Sequence, residues 1–329
     1  MKKRIGTALK YALAGFFLVF TPLVAVRKTA AQDGFPYETE KYEKVLTIWH
    51  VDTFEGGTGS RADFLTDRAI EFGRTEEGKG IHFLVVTHTV ESLEKSLSDG
   101  KTPDMVSFGI GAGAVGGIAK SIPEISFSGG EVGKYCYAYP WCVGGYFLIT
   151  KTEDKRLIDR LIVSQGVYNL PSACFLTDDL PFEKKEIKEP MNAYSAFLSS
   201  TAAALLGTQR DIKRLETRGA AFFAEPIKGF SDLIQYVAVT TGKEEDYKDC
   251  LSFAEYLISE KVQKQLVKIG MASAFYGIYD GGAMSALDIG EIGYTVSPFT
   301  EKNALLSLQS EPTDGKERAE RIKNALKRL

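Results

Sequence analysis

Histidine and tryptophan are scarce, with 3 and 2 copies in 329 residues. There is no H-E-x-x-H and no C-x-x-C, so the usual zinc spacings are missing. His82 and His88 share one side of a strand but stand ~20 Å apart along it, too far for one metal. Four cysteines are too few for a disulfide-stapled miniature fold. Cys136 and Cys142 would be too distant if extended, although Pro140 permits a kink, and four unpaired, mostly buried thiols are expected. G-x-S-x-G is absent, as is any nucleophile–base pairing in the linear sequence, so nothing makes a positive case for catalysis. There is no internal repeat or low-complexity tract. Only one continuously apolar run occurs, which excludes a many-pass membrane protein.

That run is N-terminal. Residues 1–31 hold six positive charges and no acid, Tyr11 to Val26 is apolar apart from Thr21 and Pro22, and Thr29-Ala30-Ala31 supplies small residues. This is the layout of a secretory signal peptide, and 16 apolar residues are short for a bilayer span of ~20. The alternative is an uncleaved anchor, the sole membrane contact then expected. No cysteine precedes Cys136, so a lipid-modified cysteine is not available. Beyond residue 31 the chain has a net charge of −9, a poor match for nucleic acid or anionic membranes. The basic patch Lys316, Arg318, Arg321, Lys323, Lys327 and Arg328 alternates with Ala319, Ile322, Leu326 and Leu329, as a docked amphipathic helix would.

With 44% hydrophobic and 25% charged residues the chain is globular, of a length suited to two lobes. After a polar linker, Val45 to Val51 reads as a strand. Ser60 caps a helix over Arg61 to Phe72, with Asp63 as capping-box partner. Ile81 to Thr87 is a second strand, Val90, Leu93 and Leu97 pace a helix, and Met105 to Phe108 is a third strand. Alternating strands and helices give an α/β lobe. The pattern restarts after Gly144-Gly145 with a strand at Tyr146 to Thr150. Leu157, Ile158, Leu161 and Ile162 predict a helix, Pro171 to Pro190 is irregular, and Tyr194 to Leu206 predicts an alanine-rich helix. A helix near Asp211 to Thr217, a strand over Tyr236 to Thr240, and helices over Asp246 to Ile258 and from Ser259 to Gly270 follow.

Two short motifs point elsewhere. Gly111-Ala112-Gly113-Ala114-Val115-Gly116 matches the dinucleotide fingerprint, but it follows the third strand rather than the first, and a loop lining a cleft is expected. Ser92-Leu93-Glu94-Lys95 matches S-x-x-K without its companion elements and reads as a solvated helix face. No cofactor is expected.

Five stretches occur in one order: Leu46-Thr47-Ile48-Trp49-His50 with Glu55-Gly56-Gly57; Pro103-Asp104-Met105-Val106-Ser107-Phe108-Gly109; Tyr139-Pro140-Trp141-Cys142-Val143-Gly144-Gly145-Tyr146; Ala196-Phe197 through Ala202 to Asp211; and Phe253 to Ser259 with Gln263, Leu266 and Gly270-Met271-Ala272-Ser273. Together they resemble the extracellular solute-binding proteins of ABC importers, the family that includes maltose- and oligosaccharide-binding proteins. The second lobe is shorter than the family's usual one.

The resemblance implies an α/β, two-lobed periplasmic-binding-protein-like (type II) fold with a ligand cleft between the lobes. Residues 45–140 and 219–272 would form lobe 1, and 141–218 and 273–329 lobe 2. It implies a non-enzymatic, monomeric, exported receptor that takes a small solute, a sugar by family, and passes it to ABC permease subunits. Trp49 and Trp141 would be stacking platforms, with a place in the core as the alternative for both; Asp52, Glu55 and Arg210 would meet sugar hydroxyls; and Gly109, Gln209, Phe230 and Asp232 would complete the site. The competing readings are an exported carbohydrate hydrolase using carboxylates such as Asp52 and Glu55, and an interaction module that has lost its ligand.

Overall fold

The computed structural model describes residues 42–127, 129–178, 180, 182, 184–286, 292–310 and 315–329; the signal segment expected at 1–31 lies outside them. Lys44–Leu329 forms one compact unit built on two five-stranded sheets.

The first sheet follows the predicted alternation. Strand β1 (Lys44–Val51) buries Leu46 and Ile48. Helix α1 (Arg61–Phe72) is capped by the Ser60 hydroxyl, which accepts from the Asp63 N–H, and buries Phe64, Leu65, Ala69 and Phe72. Strand β2 (Ile81–His88), helix α2 (Val90–Ser98) and strand β3 (Met105–Phe108) follow, with β1 parallel to both β2 and β3. Strand β4 (Tyr139–Val143) ends the first passage through this sheet and the chain crosses to the second.

The second sheet holds β5 (Tyr146–Thr150), β6 (Arg160–Ser164), β7 (Lys185–Lys188), β8 (Ala203–Thr208) and β9 (Phe223–Pro226) in the order β9-β5-β8-β6-β7. Helices α3 (Pro190–Ser199) and α4 (Gln209–Thr217) flank it. The chain then returns as β10 (Ile234–Val239) to lie between β3 and β4, and helix α5 (Glu244–Ile258) covers the first sheet.

Strands β5 and β10 run antiparallel to both neighbours, while the strand–helix–strand units of each sheet are parallel. The reason is topological. β1, β6 and β8 end at the gap between the sheets, whereas β5 and β10 enter their sheets from that gap and must run the other way. Loops at the carboxyl ends of the parallel strands therefore face one another, the usual ligand position in open α/β sheets.

Three sequence expectations are corrected. The helix predicted through Leu161 and Ile162 is strand β6, with Leu161, Ile162 and Val163 fully buried. The helix predicted over Tyr194 to Leu206 stops at Ser199, and Ala203 to Leu206 belong to β8. Both strands are buried on both faces, so no period-2 alternation marks them. Residues 219–229 also do not return to the first sheet, because β9 pairs with β5.

The C-terminal part straddles both lobes instead of belonging to the second. Strand β11 (Tyr294–Val296) pairs with β12 (Leu326–Arg328), and helices α6 (Lys302–Gln309) and α7 (Gly315–Ala325) lie between them in sequence. Lys302 pairs with Glu91 on α2, and the Gln309 amide donates to the carbonyls of Gly166, Val167 and Asn169. The glycine fingerprint is covered by this segment. The Gly111 N–H donates to the Thr300 carbonyl, and a Cβ on Gly113 would lie 2.5 Å from the Phe299 carbonyl oxygen. Gly111 and Gly113 admit a neighbouring backbone, and neither lines the cleft between the sheets.

All four cysteines are buried and unpaired. Burial pushes the Cys142 thiol up to about 12. Among the described residues no helix is long and apolar enough to cross a membrane.

Helix α4 begins with a reciprocal cap: the Thr208 side chain accepts from the Arg210 N–H, and Asp211 accepts from the Thr208 N–H at 3.0 Å. Thr208→Ala should cost about 1 kcal/mol. Urea unfolding would check this; an unchanged midpoint would show that the cap contributes nothing.

Candidate functional site

A cleft of about 860 Å³ opens between the two sheets. Its first wall is the segment after β1, including Asp52, Thr53, Phe54, Glu55 and Arg61; its second is the loop after β6, Ser164 to Asn169, with Thr208 and Arg210. Leu306 and Gln309 of α6 close one side. By holding three carbonyls of the 166–169 loop, Gln309 fixes the shape of that wall.

Asp52 is anchored in the cleft by two side chains that meet one of its oxygens. His50 Nε2 donates to its Oδ1 at 3.0 Å and Arg61 Nε donates to the same oxygen at 2.7 Å. The other ring nitrogen of His50, Nδ1, accepts from the Ser107 hydroxyl at 3.0 Å, an assignment made from the hydrogen-bond network. Ser107 Oγ in turn accepts from Trp141 Nε1 and Gln235 Nε2. Partial burial pushes the Asp52 carboxyl up, but the His50 hydrogen bond and the Arg61 charge outweigh it and hold it well below the usual carboxylate range.

Ser107, His50 and Asp52 thus stand in hydrogen-bonded sequence, an arrangement no linear motif revealed. It is not set up as a nucleophilic triad, because Ser107 is fully buried and its oxygen already meets three protein partners.

Several polar atoms of the cleft-lining residues lie behind its surface without a partner. Thr53 Oγ1 and Arg61 Nη1 on the first wall, and Gln165 Oε1 on the second, are buried with no hydrogen-bond partner among the described residues. Buried polar groups are normally paired, and the exceptions call for an explanation.

Of the predicted site residues, Asp52, Glu55 and Arg210 line the cleft. Glu55 reaches across it to Arg210 at 3.6 Å and Arg214 at 3.3 Å. Gly109 lies one layer behind, where a Cβ would stand 2.2 Å from Thr53 Oγ1, so its bareness gives the threonine room.

Gln209, Phe230 and Asp232 gather at the crossings instead. Gln209 Oε1 accepts from the Gly145 N–H, Phe230 stacks on Tyr146, and Asp232 accepts from the Tyr146 hydroxyl and the Leu170 N–H. The tryptophans leave the site. Trp49 packs against His88 at 4.5 Å, and Trp141 is 0% exposed, stacked on Phe64. Their placement corrects the stacking role expected of them: the aromatic rings that line the cleft are Tyr168 and Phe54.

No known family profile and no curated protein matches this sequence. Solved structures do resemble it. The chain is similar to the sugar-binding protein MalE of Xanthomonas citri, with a TM-score of 0.55 at 12% identity, covering 85% of this chain and 96% of that one. It is likewise similar to the GacH receptor of Streptomyces glaucescens, solved unliganded and with acarbose, with a TM-score of 0.53 at 13% identity over 86% and 97% of the two chains. The fold is the type II periplasmic-binding-protein fold.

In a binding protein of this fold the chain crosses between lobes beside the cleft. Here the crossings touch: the Gly144 N–H donates to the Leu233 carbonyl, and Val143 and Ala272 exchange backbone hydrogen bonds. The Ser164–Asn169 wall is hidden from the sequence because the apolar residues of β6 carry no strand period. The signal available was a polar-aromatic run, Gln165-Gly166-Val167-Tyr168-Asn169, just after three apolar residues.

Proposed function

We propose that this protein is the exported solute receptor of an ABC importer, holding a small carbohydrate between its lobes and presenting it to the permease. The observation that carries this reading is a cleft whose two walls present accessible polar side chains, Asp52 and Glu55 from one and Arg210 from the other. A solute rich in hydroxyls can donate to these carboxylates and accept from this guanidinium. The cleft volume falls in the range that takes small ligands. Tyr168 and Phe54 supply rings for the C–H faces of a sugar. The similar solved proteins are named for sugar binding or were solved with acarbose, in keeping with this choice of solute.

The hydrolase reading fits less well. A glycosidase needs one protonated carboxylic acid beside one carboxylate; Asp52, held ionised by His50 and Arg61, cannot be the acid, and Glu55 is engaged by Arg210 and Arg214.

A thermal-shift screen with mono- and oligosaccharides tests the proposal. A bound sugar at a hundredfold excess over its Kd should add about 2.7 kcal/mol, a melting rise of several degrees. Absence of any rise with sugars, together with a rise from another solute class, would overturn the carbohydrate assignment.

A further inference from the structure

Beside the cleft, and sharing Gly59 and Arg210 with it, lies a second groove of about 610 Å³. Arg210, Lys213, Arg214 and Arg218 line it, together with Tyr194 and Met191. Among the described residues no carboxylate lines this groove. The three arginines recur every fourth residue along α4 and its C-terminal cap, so they form one stripe. Four cations fall within nine residues here, although the chain's acids outnumber its bases, 43 to 40.

Helix stability accounts for Arg214 and Arg218 near the end of α4, but not for Arg210. The helix dipole favours cations in the last turn, yet Arg210 sits in the first. The carboxylates that do reach the stripe are only partly committed to it. Glu55 approaches Arg210 and Arg214 at 3.6 and 3.3 Å from a half-exposed position, the kind of pair that contributes little and yields to a better anion. Asp211 meets Arg214 at 3.2 Å but also accepts from the Thr208 N–H. Glu216 meets Lys213 at 3.4 Å, with both side chains about half exposed.

Arg218 pairs with no carboxylate among the described residues. It lies over the ring of Tyr194, 5.6 Å from the centroid, as Arg214 does. The Tyr194 hydroxyl is itself buried with no hydrogen-bond partner among the described residues.

We infer that the binding site continues from the cleft into this groove and takes an acidic glycan, with sugar hydroxyls in the cleft and a carboxylate, phosphate or sulfate on the α4 stripe. The inference rests on the receptor reading above and narrows its solute. Guanidinium groups held over an aromatic ring present their forked donors to a planar or tetrahedral oxyanion. The Glu55 carboxylate between Arg210 and Arg214 occupies the position such an anion would take over.

Calorimetry with matched pairs tests this: trigalacturonate against its methyl ester, and sugar phosphates and sulfated sugars against their parent sugars, with sodium phosphate alone as a further arm. At least one acidic member should bind about tenfold tighter or more than its neutral partner at low salt. The advantage should shrink in 1 M NaCl. Arg218→Gln should remove most of it, and Lys213→Gln, a half-exposed position independent of the Tyr194 stack, serves if the first variant fails to fold.

Equal binding within every pair, or an advantage that survives both substitutions, would overturn the acidic-glycan inference and leave the receptor reading standing. Phosphate alone binding as tightly as any acidic glycan would do the same, reducing the groove to a site for a free anion. Binding by no glycan of either kind would overturn the receptor reading and this inference with it.

Discussion

Trp141→Ala is expected to lower the unfolding free energy by about 3–5 kcal/mol, the usual loss for a large aromatic side chain in a packed core. Trp141 has no exposed surface, stacks on Phe64 with ring centroids 5.9 Å apart, and donates to Ser107 Oγ at 3.0 Å. Truncation opens a cavity and also takes one donor from the serine that orients His50. The backbone carbonyl of Trp141 accepts from Gln263 and is spared by the substitution. Urea unfolding of the variant measures the loss, and calorimetry with a bound sugar measures the affinity of the protein that remains folded. A loss under 1 kcal/mol combined with a large drop in affinity would return Trp141 to the binding site.

The second large effect concerns pH. Asp232 is 2% exposed and bridges the crossing to the second lobe, accepting from the Tyr146 hydroxyl at 2.7 Å and from the Leu170 N–H. Burial pushes its carboxyl up to about 6 from an ordinary 3.8, against the downward pull of those two donors. Between these values the folded chain holds a proton that the unfolded chain has released. The contribution to stability is therefore complete below about pH 4 and lost as the pH rises through 6. A shift of about two units corresponds to about 3 kcal/mol. Asp232→Asn keeps an oxygen for the Leu170 N–H and lets the Tyr146 oxygen accept from the amide. Urea midpoints measured from pH 4 to 7.5 should fall for the natural protein and lack this fall in the variant. Parallel curves would show that Asp232 is not the group responsible.

The elements that could be read in the sequence have either one wet face or, like β3 and β5, a short apolar run set off by turn residues. β1, α1, β2 and α2 each alternate between core and solvent, and the Ser60 and Thr89 caps mark where the helices begin. β6 and β8 have no wet face, and their unbroken apolar runs carry no period to separate strand from helix. The cleft divides the same way. Asp52, Glu55 and Arg210 follow directly on strand ends or a helix start, where polar residues point at a site. Gln309 reaches the 166–169 loop from the other end of the chain, and no local pattern announces a contact made over such a separation. Tryptophan misled because ring size suits a core and a sugar platform equally, and only the neighbours decide between them.

The return of β10 to the first sheet sets the order in which that sheet can be finished. β3 pairs with β10 through Met105 and Val239, so the whole second lobe is synthesised between the two partners. Closing a loop of that length is entropically slow, and contacts so distant along the chain delay folding. β5 through β9 are contiguous and can assemble from nearer neighbours. Until β10 emerges, one edge of β3 stays unpaired, and its four side chains, all destined for the interior, have incomplete cover. Such an edge invites pairing with another chain. The nascent protein is thus most prone to aggregate while its first lobe waits for its last strand.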